Sequence, residues 1–258
     1  YQLLGGKVRE ELPMKMVVGA FPVPQAVALA ERFLEWGAKN LKVKVGLNPE
    51  EDIARVRAVR QAAGPDIPIG IDANQGWDIA TARRRLAELE EFDILFCEQP
   101  IPRHDPGALA DLRRTTNIPI MADESVFNAA DAIQLVNHRA ADIISVYPGK
   151  HGGIGPTLEI AAIAKAAGLS VTMGSNLELG IATAAMLHVG IACDAFSAEQ
   201  FPGDYVGPWY HEADLLKKPL DLGPPAAKAP DGPGLGIEMD EEQLEKYRDT
   251  TLKADAIG

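Results

Sequence analysis

The chain has 258 residues and is 47% hydrophobic, enough for one large core, so a single barrel-sized domain is expected in preference to two small ones. A net charge of -12 and the lack of any run of Lys and Arg argue against nucleic acid as a partner. Cys97 and Cys193 make neither a disulfide framework nor a zinc motif, no apolar stretch reaches the ~20 residues that span a bilayer, and the start does not read as a signal peptide, so a cytoplasmic protein without membrane contact is expected.

In chain order, residues 1–14 lead in from Tyr1, which is not an initiator Met and reads as the middle of a longer chain. From Lys15 to residue 219, short apolar runs alternate with longer amphipathic ones, the pattern of strand and helix units around a parallel sheet. The predicted strands are Lys15–Ala20, Asn40–Val45, Ile67–Asp72, Ile94–Glu98, Ile118–Asp123, Ile143–Tyr147, Ser170–Gly174 and Ala195–Ala198. Between them fall predicted helices over Val23–Trp36, Pro49–Ala63, Ile79–Leu89, Pro106–Arg114, Ala129–His138, Gly155–Ala167 and Leu179–Val189. Residues 220–258 lapse into Pro and Gly before a short acidic helix near Asp240–Tyr247, and are expected to pack outside the main domain. Parallel strands with crossover helices in this number close most naturally as an α/β barrel of the TIM type, where active-site groups stand at strand C-terminal ends.

Polar residues do recur there. Lys44, Asp72, Glu98, Asp123, Tyr147, Ser175 and Glu199 follow at intervals of roughly 24 to 28 residues, about one strand-helix unit each. Asp72, Glu98 and Asp123 end successive strands, and carboxylates converging in this way repel unless a cation or protons neutralise them. Oxygen ligands without His suit Mg2+ better than zinc, and Mn2+ fits nearly as well. A strand-end acid also serves as a helix cap, but three in consecutive units favour a metal. Asn74 and Glu124 lie beside two of these acids and are expected to support them.

Lys42 and Lys44 are two apart on one strand and share a face. Each charge lowers the pKa of the other, so a lysine here can accept a proton, and Lys44, nearer the mouth, is the expected base.

Lys42-Val43-Lys44, Ile71-Asp72-Ala73-Asn74, Cys97-Glu98-Gln99-Pro100, Ala122-Asp123-Glu124-Ser125 and Gly152-Gly153 resemble, in order and spacing, the mandelate racemase and muconate lactonizing branch of the enolase superfamily. The resemblance runs from Leu3-Leu4-Gly5-Gly6 to the Pro230–Gly236 tail. It implies a (β/α)7β barrel, Lys44 as acid/base, and Mg2+ held by Asp72, Glu98 and Asp123. It also implies an N-terminal capping domain, which has no counterpart in this chain and is expected in the full-length protein. A small-molecule carboxylate substrate and a homo-oligomer are the expected partners.

The pattern departs from the family at strand six. Many members resembling muconate lactonizing enzyme carry a second lysine where this chain has Tyr147, and the His and Asp dyad of mandelate-type racemases is missing. Tyr147 is then a catalytic candidate as donor of a hydrogen bond or a proton, though a poor base, or else a wall of the pocket, and Lys150, in a loop before Gly152-Gly153, is expected to be mostly exposed although able to reach back. Ser175, Asn176 and Glu178 are expected near the substrate, with Glu199 and Trp209-Tyr210-His211 as weaker candidates.

Removing a proton alpha to a carboxylate gives an enediolate that a bound cation stabilises. Inversion needs two acid/base groups, whereas elimination on one face can use a single lysine. The expected reaction is therefore dehydration of a hydroxylated acid, such as a sugar acid or a hydroxyproline-like compound, with racemisation, epimerisation or muconate-type cycloisomerisation as the alternative. Two rival readings are a noncatalytic metal-binding relative or isolated fragment, and a barrel that binds phosphate at Gly152-Gly153-Ile154-Gly155.

Overall fold

The computed structural model describes residues 1–248. In chain order the elements are β1 (Leu12–Pro13), β2 (Met16–Val18), α1 (Val23–Glu35), β3 (Leu41–Lys44), α2 (Pro49–Ala63), β4 (Ile69–Asp72), α3 (Ile79–Leu89), β5 (Ile94–Glu98), α4 (Pro106–Arg113), β6 (Ile120–Ala122), α5 (Ala129–His138), β7 (Ile143–Val146), α6 (Pro148–His151), α7 (Ile154–Ala166), β8 (Ser170–Met173), α8 (Gly180–Ala192), β9 (Ala226–Ala227) and α9 (Glu241–Tyr247). Strands β2 to β8 form one curled parallel sheet in sequence order, and β1 pairs with β9 in a separate antiparallel ladder. The C-terminal segment expected from residue 220 thus contributes β9 and α9, while its residues 249–258 lie outside the described residues.

The helices begin where local chemistry favours it. Asn48, Asp78, Asp105 and Asn128 each accept a hydrogen bond from a main-chain N–H of the following turn. Pro49 and Pro106 occupy first positions, where a missing N–H costs nothing.

The eighth expected strand, Ala195–Ala198, does not form as a strand. A single parallel bridge joins Phe196 to Val171. Gln200 and Phe201 then both donate to the Ser197 carbonyl, which turns the chain, and Pro202 has no N–H to continue a ladder. The segment nevertheless bonds to both edges of the sheet. Ser197 and Asp204 donate to the Val171 and Met173 carbonyls beside β8, while Lys15 donates to Gly203 and Gly203 to Pro13 beside β2.

Side chains alternate along a strand, so Lys42 shares a face with Lys44, Phe96 with Glu98, and Met121 with Asp123. Phe96, Met121, Ile143 and Phe201 make an apolar cluster on this inner face, and the charged residues follow toward the strand C-terminal ends. Val43, Ile71 and Cys97 point the other way into the main core under the helices. Among the described residues no helix is long and apolar enough to cross a membrane.

Candidate active site

The C-terminal ends of the strands surround a cavity of about 260 Å³ lined by Lys42, Lys44, Asp72, Asn74, Glu98, Asp123, Glu124, Tyr147, Ser175, Asn176 and Asp204, among others. The sheet register brings the first acids together. Lys44 pairs with Asp72 between β3 and β4, and Asp72 with Glu98 between β4 and β5. Asp123 follows β6 on the same inner face. Strand order and inward alternation, both readable from sequence, are what gather these side chains.

The two lysines of β3 sit in different surroundings. Lys42 is buried and donates to Glu98 Oε2 at 2.8 Å and to Asp204 Oδ2 at 2.6 Å, with Asp72 Oδ2 at 3.4 Å. Burial alone would push its ammonium down, but Asp204, Glu98 and Asp72 together hold it well above the ordinary lysine range. Lys42 is therefore a buried cation engaged by three carboxylates, and its own pKa is raised where the lysine pairing led to the expectation that it would be lowered. Lys44 is 29% exposed at its side chain and opens to the cavity, donating to Asp72 Oδ2 at 2.6 Å and Asn74 Oδ1 at 2.7 Å.

The acids are unevenly compensated. Burial opposes charge on Asp72, but Lys44 and Lys42 outweigh it and hold its pKa below the usual range. Glu98 is pushed up to about 7 by burial and by the Asp72 charge, with Asp123 and Asp204 adding to the effect against Lys42. The lysines therefore leave negative charge at Glu98 unmatched. Among the described residues no three His, Cys, Asp or Glu side chains already stand at ligating positions around one point. The donor set still suits a hard cation, because three buried carboxylates without His or Cys reach the same cavity and their surplus charge is what such an ion would offset.

On the far side of the cavity, β7 lies beyond β4, β5 and β6 from Lys44. Tyr147 closes that wall, its hydroxyl donating to Asn176 Oδ1 at 3.1 Å, and burial followed by Asp123 and Glu98 raises its pKa far above the ordinary tyrosine value. It is no base. Lys150 is not exposed, contrary to expectation. Carried on the one-turn helix α6, it turns inward with only 2% of its side chain exposed, donates to Asp123 Oδ1 and to the Asp123 and Ser145 carbonyls, the last two at 2.9 Å each, and lies 4.7 Å from the Tyr147 ring centre. Its ammonium thus stands one short turn beyond Tyr147 and is fully engaged.

The remaining candidates divide. Asn74 bridges Lys44 to Glu124, donating to Glu124 Oε1 at 3.2 Å. Burial and the Asp123 charge raise the Glu124 pKa. Ser175 and Asn176 line the cavity, whereas Glu178 does not. It turns back to accept from the Ser175 hydroxyl at 2.6 Å and the Asn176 N–H at 3.0 Å, stabilising the loop after β8. Glu199 is exposed and away from the cavity, and Asp204 takes the corresponding position.

Three residues were not singled out from sequence. Asp204 lies one strand-helix unit after Ser175, so the spacing could have found it, but the Pro202-Gly203 break obscured the strand. Buried Lys15 donates to the Pro202 carbonyl at 2.6 Å and lies 3.3 Å from Asp204, a contact no local motif announces. Gln99 was read only as part of the Cys97–Pro100 motif, with no role of its own, yet its Oε1 accepts from the N–H groups of Asp123 and Ser125, at 3.1 and 3.0 Å, fixing the turn that carries Asp123. Asn74, Gln75 and Gln99 have φ of 42°, 68° and 35°. Such left-handed conformations cost on the order of 1–3 kcal/mol each and gather where loops are held for function.

Residues 25–243 match the family model described as enolase C-terminal domain-like. The chain is 33% identical over 247 residues to a chloromuconate cycloisomerase, CbnB, of Cupriavidus necator, covering 95% of this chain and 66% of that protein. It is 32% identical over 247 residues to an N-succinyl-L-Arg/Lys racemase of Bacillus cereus, covering 95% of this chain and 65% of the relative. Among solved structures, muconate lactonizing enzyme from Pseudomonas fluorescens complexed with muconolactone superposes with a TM-score of 0.91 at 33% identity, covering 96% of this chain and 67% of that one. The chain spans about two thirds of the length of the curated relatives it matches. These relatives are isomerases, and the solved one shares its curled parallel sheet: the chain belongs to the enolase C-terminal domain-like family, in the mandelate racemase and muconate lactonizing branch of the enolase superfamily.

Proposed function

We propose that this chain is the catalytic part of a divalent-cation-dependent isomerase that moves a proton alpha to a carboxylate on one face of its substrate, with Lys44 as the acid/base group. The observation that carries this reading is the asymmetry of the cavity. Lys44 faces it from β3, while the far wall offers only a tyrosine of raised pKa and a lysine whose ammonium is already bound three times. Asp72, Glu98 and Asp123 would hold Mg2+, with Mn2+ as the substitute. Bound there, the cation neutralises negative charge that develops on the substrate carboxylate. Asn74 orients the Lys44 ammonium, Gln99 fixes Asp123, and Tyr147 excludes water from the far side.

One-sided chemistry suits a cycloisomerase, in which addition and protonation share one face, better than a racemase, which needs a second proton carrier. The names of the relatives also favour isomerisation over the dehydration expected from sequence, although elimination uses the same single lysine. The bonds that the 196–204 segment makes to both sheet edges support a closed (β/α)7β barrel. Leu47, Phe21 and Phe127, on loops at the cavity end, are 78%, 47% and 38% exposed, as expected for a surface that a preceding capping domain covers. Free Cys97 and Cys193 accord with a reducing cytoplasm.

The test is incubation of the full-length protein and of this chain with Mn2+ and muconolactone or N-succinyl amino acids in heavy water. Deuterium should enter alpha to the carboxylate with retention of configuration. Inversion as fast as exchange would overturn the one-sided reading.

A further inference from the structure

Outside the cavity, one ion pair among the described residues is buried on both sides. Asp52 and Arg55, on the first turns of α2, are 0% and 1% exposed and meet at 3.0 Å. Burying two charges costs several kcal/mol per ion, and well-packed apolar residues often serve stability as well or better, so stability alone is a weak reason for the pair. Nor is it needed to start the helix, because Asn48 already caps it.

Its remaining hydrogen bonds converge on loops around the cavity. Arg55 Nε donates to the Phe21 carbonyl at 2.7 Å, and Nη1 donates to the carbonyl of Lys44 at 3.1 Å. Asp52 Oδ2 accepts from the Gly46 N–H at 2.8 Å and from the Trp77 indole at 3.2 Å. One buried pair therefore holds the loop after β2, both sides of the turn after Lys44, and the loop after Asp72. The last two are also packed backbone on backbone. Gly46 has φ 95°, and a Cβ on Gly76 would fall on the Gly46 carbonyl, so the two turns are in direct main-chain contact that only glycine allows.

We propose that Asp52 and Arg55 are positioning residues that set Lys44 against Asp72 through the main chain, an inference that rests on the acid/base role given to Lys44 above. Their place behind the strand, with no access to the cavity, separates them from the groups that would touch substrate. Small displacements matter here, since a misplacement of roughly 1 Å can cost about 10²-fold in rate.

The test compares the wild-type chain with Asp52→Leu/Arg55→Met, which removes both charges together, with Asp52→Asn, and with the conservative Arg55→Lys. Arylation of Lys44 by fluorodinitrobenzene is measured by peptide mapping across a pH series, with exposed Lys39 as the internal reference. The double variant should melt cooperatively and bind Mn2+ as the wild type does. Its Lys44-to-Lys39 ratio should rise at least about threefold at every pH of the series, because an ammonium displaced from Asp72 is freer to react, whereas Arg55→Lys should stay near the wild-type ratio. A folded double variant with the wild-type ratio would overturn the proposal; if that variant does not fold, Asp52→Asn is judged by the same criterion. Failure of the wild type to bind Mn2+ would strike the proposed function and leave the labelling comparison readable.

Discussion

Lys150 donates to both the carboxylate and the main-chain carbonyl of Asp123, a residue 27 positions earlier in the chain. It therefore fixes the backbone and side chain of a candidate metal ligand at once. Outer partners of this kind typically account for roughly 10–100-fold in metal affinity. Lys150→Met should weaken Mn2+ binding by that factor in calorimetry while leaving the fold intact. Unchanged affinity would reduce Lys150 to a space-filling role.

Lys42 and Lys44 should separate in a stability measurement. Lys42→Met leaves Glu98 and Asp204 without their common partner, and breaking a buried pair in this way costs about 3–5 kcal/mol. Urea unfolding should register that loss, and Asp204→Asn in the same chain should recover part of it. Lys44→Met, at a partly exposed site, should cost far less.

These contrasts mark how far the sequence could be read. Strands β2 to β8 and the positions of Lys44, Asp72, Glu98 and Asp123 follow from hydrophobic alternation and unit spacing, because period and inward facing are local properties. The inward turn of Lys150 was not readable, since it depends on a one-turn helix and on acceptors supplied by Asp123 and Ser145. The misread eighth strand has a similar cause. Ala195–Ala198 alternates well, but the chain turns at Ser197 and the polar residue that reaches the cavity, Asp204, lies beyond Pro202.

If Lys44 alone carries the proton, as proposed, Tyr147→Phe should keep deuterium exchange within about tenfold of wild type. General acid/base groups contribute typically 10²–10⁴-fold, so a loss of that size would make Tyr147 the second acid. Exchange rates followed by proton NMR decide between the two.

His151 Nδ1 donates to the Phe127 carbonyl at 2.9 Å. Burial, then the Lys150 charge, push its pKa down to about 4 from 6.5. The folded state thus resists the proton that the unfolded chain takes up. The stability this contributes is full above about pH 6.5 and is lost as pH falls toward 4. His151→Asn should flatten the fall of unfolding free energy across that window in urea titrations at fixed pH steps. An identical slope in the variant would remove His151 as its source.

The central claim is that a single lysine carries the proton. It is tested most directly by alpha-deuterium exchange in the Mn2+-loaded full-length protein and its Lys44→Ala variant. The variant should bind Mn2+ normally and lose exchange by roughly 10²–10⁴-fold. Exchange at the wild-type rate in that variant would contradict the account.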